Sequence, residues 1–99
     1  MWRVKRTEEE LRKIIETIEV KPRDPRSLRC DICCDFKVGI DSYYADLALI
    51  PWVGAECMIF EKIGNEISWN SLYCRRDIPF KEDSLINCII EFIRKKYVD

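Results

Sequence analysis

The chain has 99 residues, of which 47% are hydrophobic and 35% are charged, and its formal net charge at pH 7 is -1. This length suits one domain with one core, and this apolar content excludes a disordered chain. The near-zero net charge gives no global attraction to nucleic acid or membranes, and no apolar run approaches the ~18 residues of a membrane span. We therefore expect a single domain over residues 1–99 with no membrane partner.

The amino-acid usage excludes several classes of enzyme. Histidine is absent, which rules out every triad or acid–base pair that depends on imidazole. The three glycines are isolated, so the chain has no glycine-rich phosphate loop. Few amides together with abundant lysine, arginine and glutamate are a tendency of hyperthermophile proteins. We predict a thermostable protein that is not an enzyme, with no cofactor and no evident small-molecule substrate.

The first predicted element is a helix that begins with a capping box. Thr7 is its N-cap, and Glu10 is placed to reach back to it. The apolar residues that follow have the spacing of one helical face. They are Leu11, Ile14, Ile15 and Ile18. Pro22 disfavours the α conformation of the residue before it, so we expect the helix to end there and a basic linker to follow as far as Ser27.

The next segment alternates between apolar and polar residues through Ile40, which predicts a strand with one buried and one exposed face. A two-residue turn at Asp41-Ser42 would lead into a second, antiparallel strand. The register that this turn sets is described by two cross-strand pairs. Phe36 lies opposite Leu47 on the buried face, and Lys37 lies opposite Asp46 on the exposed face.

A turn at residues 51–54 precedes a third predicted strand, and Gly64-Asn65 is a good two-residue turn into a fourth. Both faces of this second hairpin are partly apolar. Because the helices can cover only one face of the sheet, we expect an apolar patch on the other, where a partner protein or a second copy in a homodimer would bind. The predicted partner-binding residues are Cys57, Ile59 and Leu72.

The last predicted element is a helix after Pro79, with acidic residues near its start and Arg94, Lys95 and Lys96 in its last turn. The element order is therefore αββββα. This order predicts an α+β fold with two layers, in which the N-terminal and C-terminal helices pack on one face of a four-stranded antiparallel meander.

The six cysteines do not have the arrangement of a metal site. Cys30 and Cys33 form a C-x-x-C motif, but a second such motif is absent and the strand alternation directs them to opposite faces. Cys57 and Cys74 are expected to be diagonal neighbours about 7–8 Å apart, at or beyond the reach of a disulfide. We expect no metal and at most one or two disulfides, with the other thiols buried in the core.

Basic residues could alternatively assemble into a nucleic-acid surface, with an aromatic side chain for base stacking. The competing interpretation is a set of surface ion pairs, which the near-zero net charge favours. The residues of the nucleic-acid interpretation are Trp2, Arg3, Lys5, Arg6, Lys21, Arg23, Arg26, Arg29, Arg75 and Arg76.

The chain resembles a group of small viral proteins. The features that carry the resemblance are the capped Glu8-Glu9-Glu10 helix, the Cys30 to Ile40 strand and a composition rich in Lys, Arg, Glu and Ile. The group consists of proteins of unknown function encoded by filamentous viruses of hyperthermophilic, acidophilic archaea. The resemblance implies a protein of the host-cell cytoplasm and carries over no active site. The leading interpretation is a non-enzymatic viral or host accessory factor that binds another protein, and the alternative is a nucleic-acid-binding protein.

Overall fold

The computed structural model describes residues 8–18, 21–22 and 32–98. In chain order, the helices and strands are α1 (Glu8–Glu16), β1 (Lys21–Pro22), β2 (Ile32–Val38), β3 (Asp41–Ile50), β4 (Gly54–Ile63), β5 (Glu66–Ile78) and α2 (Glu82–Ile93). A π-helical turn, Arg94–Val98, follows α2. The strands form one antiparallel sheet in the order β1-β2-β3-β4-β5. The predicted α+β meander is confirmed, and the two-residue strand β1 adds to its edge.

The core lies between one face of the sheet and the two helices. Leu11 of α1 and Ile89 of α2 are buried in the same cluster as Phe36, Ala45 and other sheet residues. The apolar stripe of each helix therefore faces the sheet, as its spacing predicts. Neither helix in the described part of the chain has the length and apolar character needed to cross a membrane.

The turn between β2 and β3 lies two residues earlier than predicted. Gly39 and Ile40 form this turn, and Val38 pairs with Asp41 on either side of it. Gly39 has a φ of 65°, a left-handed conformation that glycine adopts at low cost and that two-residue hairpin turns require. The side chain of Ile40, which the alternation assigned to the buried face, is instead almost fully exposed.

The earlier turn changes the pairing but preserves the faces of the hairpin. Phe36 lies opposite Tyr43 rather than opposite Leu47, a shift of four residues. Side chains along a strand alternate with period two, so an even shift leaves the residues that remain paired on their predicted sides. Phe36 and Leu47 are accordingly both buried in the core, as predicted. Lys37 is exposed, as predicted, and lies opposite Ser42.

The prediction that Asp46 is exposed opposite Lys37 is wrong. Asp46 is 0% exposed, because it lies in the middle of the sheet between Cys33 of β2 and Met58 of β4. This face, which was expected to be polar on the first hairpin, carries a second buried cluster. Its members are Cys33, Tyr44 and Phe60, with Met58 and Ile67 packed against them.

The pairing of β3 with β4 reverses the predicted faces of the second hairpin. Ile59 lies opposite Ala45, and Cys57 lies opposite Leu47. Ala45 and Leu47 face the helices, so their partners do too, and both Cys57 and Ile59 are fully buried in the core. The predicted partner-binding patch is therefore not formed, and Leu72 is the one member of it that is exposed.

Strand β5 is bulged along most of its length. It has 13 residues, whereas β4 has 10, and the register between them shifts at three points. At one shift Tyr73 pairs with Ile59 and Ser71 pairs with Phe60, which leaves Leu72 as an extra residue on β5. A bulge of this kind bends the strand and redirects the side chain of the extra residue. The exposure of Leu72 follows from this bulge.

The bulges also separate two cysteines that were expected to be neighbours. Cys57 pairs with Arg75, and Cys74 pairs with Met58. Consecutive residues of a strand point to opposite faces, so Cys57 faces the helices and Cys74 faces away from them. The predicted diagonal pair of Cys57 and Cys74 is therefore wrong.

The turn between β3 and β4 presents a tryptophan in an unusual conformation. The Val53 N–H donates to the Ile50 carbonyl at 3.2 Å, with Pro51 and Trp52 between them. Trp52 has a φ of 71° and a fully exposed side chain. Proline at the second position and a left-handed residue at the third are the pattern of a type II turn, which favours glycine where Trp52 stands. A non-glycine residue in this conformation costs ~1–3 kcal/mol.

The π-helical turn is fixed to the start of β3 by side-chain hydrogen bonds. The Tyr97 hydroxyl donates to Asp41 Oδ2 at 2.7 Å and is also hydrogen-bonded to the Tyr43 hydroxyl. Burial, together with these hydrogen bonds, raises the pKa of Tyr97 above its ordinary value. The network holds the C-terminal end of the helical segment beside the β2–β3 turn.

Candidate functional site

The candidate site is a groove between β5 and the C-terminal end of the helical segment. It is lined by Leu72, Tyr73, Phe92, Lys95 and Lys96 and has a volume of about 270 Å³. Leu72 and Phe92 supply an apolar surface, and the two lysines supply positive charge. This volume lies below the usual range for small-molecule sites, so the groove suits a side chain of a larger partner.

Two irregularities of the backbone build this groove. The β-bulge places Leu72 on the surface, where it is 46% exposed. The π-helical turn contains Lys95 and Lys96, and the hydrogen bonds of Tyr97 hold that turn in place. Bulges and π-helical turns both occur often at functional sites, because they redirect side chains that a regular element would place elsewhere.

A carboxylate beside the groove ties β5 to α2. The Tyr73 hydroxyl donates to Glu91 Oε2 at 2.9 Å, and the Arg75 guanidinium donates to the same oxygen. The hydrogen bond from Tyr73, followed by the interactions with Arg75, lowers the pKa of Glu91 below its ordinary value. Burial and the hydrogen bond to Glu91 raise the pKa of Tyr73. The carboxylate therefore stays ionised, and it fixes the wall of the groove that Tyr73 forms.

The structure separates the two described arginines of the predicted nucleic-acid surface. Arg75 pairs with Glu91 on the helix face, whereas Arg76 pairs with Glu56 at 2.5 Å on the other face. Each arginine thus belongs to an ion pair. This agrees with the alternative interpretation, in which the basic residues form surface ion pairs rather than a nucleic-acid surface. Lys21 lies in β1, and the remaining members of the predicted set fall outside the described residues. They are Trp2, Arg3, Lys5, Arg6, Arg23, Arg26 and Arg29.

Three of the described free thiols belong to the core. Cys33 is disulfide-bonded. Cys34, Cys57 and Cys88 are free and buried, whereas Cys74 is free and exposed. Burial and the neighbouring Asp35 raise the pKa of Cys34 to about 12. The hydrogen bond to Cys88, together with burial, raises the pKa of Cys57.

These pKa shifts keep the thiols of Cys34 and Cys57 protonated, and a protonated thiol is neither a good nucleophile nor a metal ligand. Within the described ranges, the structure has no group of three cysteine or carboxylate side chains that could hold a metal ion.

A larger depression, of about 400 Å³, lies at the β4–β5 hairpin and is lined by Asn65, Glu66, Ile67 and Trp69. All four residues come from one short segment of the chain. The Trp69 ring makes edge-on contacts with the rings of Phe60 at 5.2 Å and Tyr44 at 6.3 Å, so this tryptophan covers the second buried cluster. The groove is the better candidate, because its walls come from separate elements and it combines charge with apolar surface.

Sequence reasoning identified one residue of the groove. Leu72 was predicted to bind a partner, but as part of a flat patch with Cys57 and Ile59. Lys95 and Lys96 were assigned to the helix dipole, and Phe92 to the core stripe of α2. The available signal was the spacing of Phe92, Lys95 and Lys96, which places an aromatic residue one helical turn before two cations.

No protein-family model, curated protein or solved structure matches this chain. Function is therefore inferred from the residues that line the groove.

Proposed function

We propose that this chain is a non-enzymatic protein-interaction factor and that the groove is its binding surface. The groove binds a protein segment that presents an apolar side chain next to carboxylates. The supporting observation is that one groove is lined both by Leu72, which a β-bulge exposes, and by Lys95 and Lys96 of the π-helical turn. Buried apolar contact supplies affinity at such a surface, and charge complementarity selects the partner.

The groove suits a binding role better than a catalytic one. Its ionisable neighbours, Tyr73, Arg75 and Glu91, are joined to each other by hydrogen bonds. The composition favours a hot environment, and the resemblance to the viral proteins favours the cytoplasm of a host cell. Both fit an accessory factor that acts by contact with another protein inside that cell.

The test is a titration of the chain into a fluorescein-labelled synthetic peptide in which Trp and Leu alternate with Asp. A second peptide, with Lys in place of every Asp, tests whether binding requires negative charge on the peptide. We expect fluorescence anisotropy to show binding of the acidic peptide and no binding of the basic one. Leu72→Ala and the double variant Lys95→Glu/Lys96→Glu should each weaken binding about tenfold or more, which corresponds to ~1.4 kcal/mol.

Matched controls separate the groove from general surface effects. Ile63→Ala removes another exposed apolar side chain, and Lys37→Glu reverses another exposed lysine. Both should leave peptide binding unchanged. If neither peptide binds, the proposal fails. If a labelled single-stranded oligonucleotide binds instead, with a steep loss of affinity as salt rises, the chain is a nucleic-acid-binding protein.

A further inference from the structure

The turn between β3 and β4 holds the side chain of Trp52 out into solvent. Trp52 occupies the left-handed position of a type II turn, and its side chain is fully exposed. Glycine would adopt this φ with less strain, and the side chain lost would be one that is fully exposed. Strain that folding does not require is a sign of function. Tryptophan is also among the residues that contribute most to binding at protein interfaces.

The surroundings of Trp52 are apolar and acidic. The neighbouring Val53 and Leu49 are both exposed. The backbone of Asp77 lies against Gly54, so the exposed Asp77 flanks the turn. We call Trp52, Val53 and Asp77 the knob. The groove has the complementary character, since it combines the apolar Leu72 and Phe92 with two lysines.

The knob and the groove are at different ends of the molecule. Helix α2 begins shortly after β5 ends beside Gly54, and its 12 residues extend about 18 Å along the sheet. The π-helical turn after α2 is hydrogen-bonded to Asp41, at the start of β3, whereas the knob follows the end of β3. A chain therefore cannot place its own Trp52 in its own groove, but a second copy can.

We infer that the partner of the groove is a second copy of this chain, whose Trp52 docks between Leu72 and the lysines. This inference rests on the proposed function, because it names the occupant of the same groove. Trp52 packs on the apolar surface, Lys95 or Lys96 lies over the indole face, and Asp77 faces the remaining positive charge. Because the two surfaces differ, the contact is head-to-tail, and it extends through further copies until a ring closes or a filament forms.

The test uses two variants that each destroy one surface. Trp52→Gly removes the knob, and Lys95→Glu/Lys96→Glu reverses the charge of the groove. In sedimentation equilibrium, the average mass of the wild type should rise with concentration beyond two copies. Each variant alone should remain a single chain of 11.9 kDa.

An equal mixture of the two variants should form a complex of two chains and nothing larger, since one intact knob meets one intact groove. A wild type that stays a single chain up to millimolar concentration would overturn the inference. So would variants that still assemble alone, or a mixture that does not associate.

Thermal unfolding distinguishes a binding role of Trp52 from a structural one. At a concentration where the wild type is a single chain, Trp52→Gly should raise the unfolding temperature, because glycine relieves the strained φ of a fully exposed residue and no assembly is lost. A lower unfolding temperature would show that Trp52 stabilises its own chain, which contradicts the inference. If the acidic peptide binds the groove but the wild type does not assemble, this inference fails while the proposed function stands. If neither occurs, both fail.

Discussion

At the scale of single residues, aromatic side chains join the sheet to α2. The ring centroids of Phe36 and Tyr43 are 5.2 Å apart, and Phe92 makes edge-on contacts with both. Such ring pairs stabilise a core beyond the area that they bury. The three rings lie on β2, β3 and α2, so the loss of one ring weakens the contact between the two layers.

Phe36→Ala should lower the free energy of unfolding by ~3–5 kcal/mol, because it removes buried surface and leaves a cavity beside the other two rings. Urea unfolding followed by circular dichroism measures this change. The control is Lys37→Ala on the exposed face of the same strand, which should change stability by less than ~0.5 kcal/mol. Similar losses for the two variants would contradict the observed faces of β2.

Tyr97→Phe should lower the free energy of unfolding by ~1–3 kcal/mol, because Asp41 and the buried Tyr43 hydroxyl both lose a hydrogen-bond partner. The variant should also alter the pH dependence of stability. The folded pKa of Tyr97 is raised, so the unfolded chain releases this proton first, near pH 10. The contribution is complete below that pH and is lost as the pH rises above it.

Unfolding curves collected between neutral pH and about pH 11 check this prediction, since they cover the range in which an ordinary tyrosine titrates. The wild type should lose stability more steeply above pH 10 than Tyr97→Phe. Parallel curves for the two proteins would show that the hydroxyl of Tyr97 titrates alike in the folded and unfolded chains.

At the scale of elements, one ionised carboxylate accepts hydrogen bonds that join β5 to α2. Glu91→Gln should destabilise the chain at pH 7, because the hydrogen bonds from Tyr73 and Arg75 would lose their charged acceptor. The folded pKa of Glu91 is lowered, so its contribution is present above the unfolded pKa of about 4.3 and is lost at lower pH. The urea midpoints of variant and wild type should therefore converge below about pH 4.

The control for this prediction is Glu61→Gln, which alters an exposed carboxylate on β4. It should leave the urea midpoint almost unchanged at either pH. A difference between Glu91→Gln and the wild type that persists at low pH would show that Glu91 acts through packing rather than through its charge.

Periodicity was sufficient to predict the two α-helices and the four long strands, but it did not predict β1 or the backbone irregularities. The alternation around Phe36 gave the correct faces of the first hairpin, and an even shift of register preserved them. The turn itself was misplaced because Gly39, which tolerates a left-handed φ, competes with Asp41-Ser42. The β3–β4 register carries no local signal of this kind, and it decides that Cys57 is buried beneath the helices.

The groove was the least predictable feature. Its formation requires an extra residue on β5, and nothing in the apolar pattern marks Leu72 as that residue. It also requires the contact between Tyr97 and Asp41, which are 56 residues apart in the chain. Sequence patterns report on neighbours within a helix or a strand, whereas this site depends on where distant elements meet.

At the scale of the whole molecule, burial sorts the cysteines into reactive and protected groups. Iodoacetamide at pH 8 should modify Cys74 in the folded chain and leave Cys34, Cys57 and Cys88 unmodified. The reason is that Cys74 is exposed, whereas the other three thiols are buried. Denaturation should make all four reactive, and prior reduction should add Cys33.

Mass spectrometry of the alkylated chain reads out this pattern directly. Rapid modification of Cys57 in the folded state would show that the core opens far more easily than its packing implies. Protection of Cys74 would indicate that another chain covers β5. The variant Cys74→Ser is the control, because it should abolish labelling of the folded chain while leaving the denatured pattern of the other thiols intact.

The bulges of β5 also bear on the solubility of the chain at high temperature. In the described sheet β5 is an edge strand, and a long regular edge would offer backbone donors and acceptors to the strands of other chains. The shifts of register confine the regular pairing around Cys74 to Tyr73, Cys74 and Arg75. A stretch of three residues is a poor template for fibril growth. Aggregation on heating should therefore begin from unfolded chains and not from the native edge.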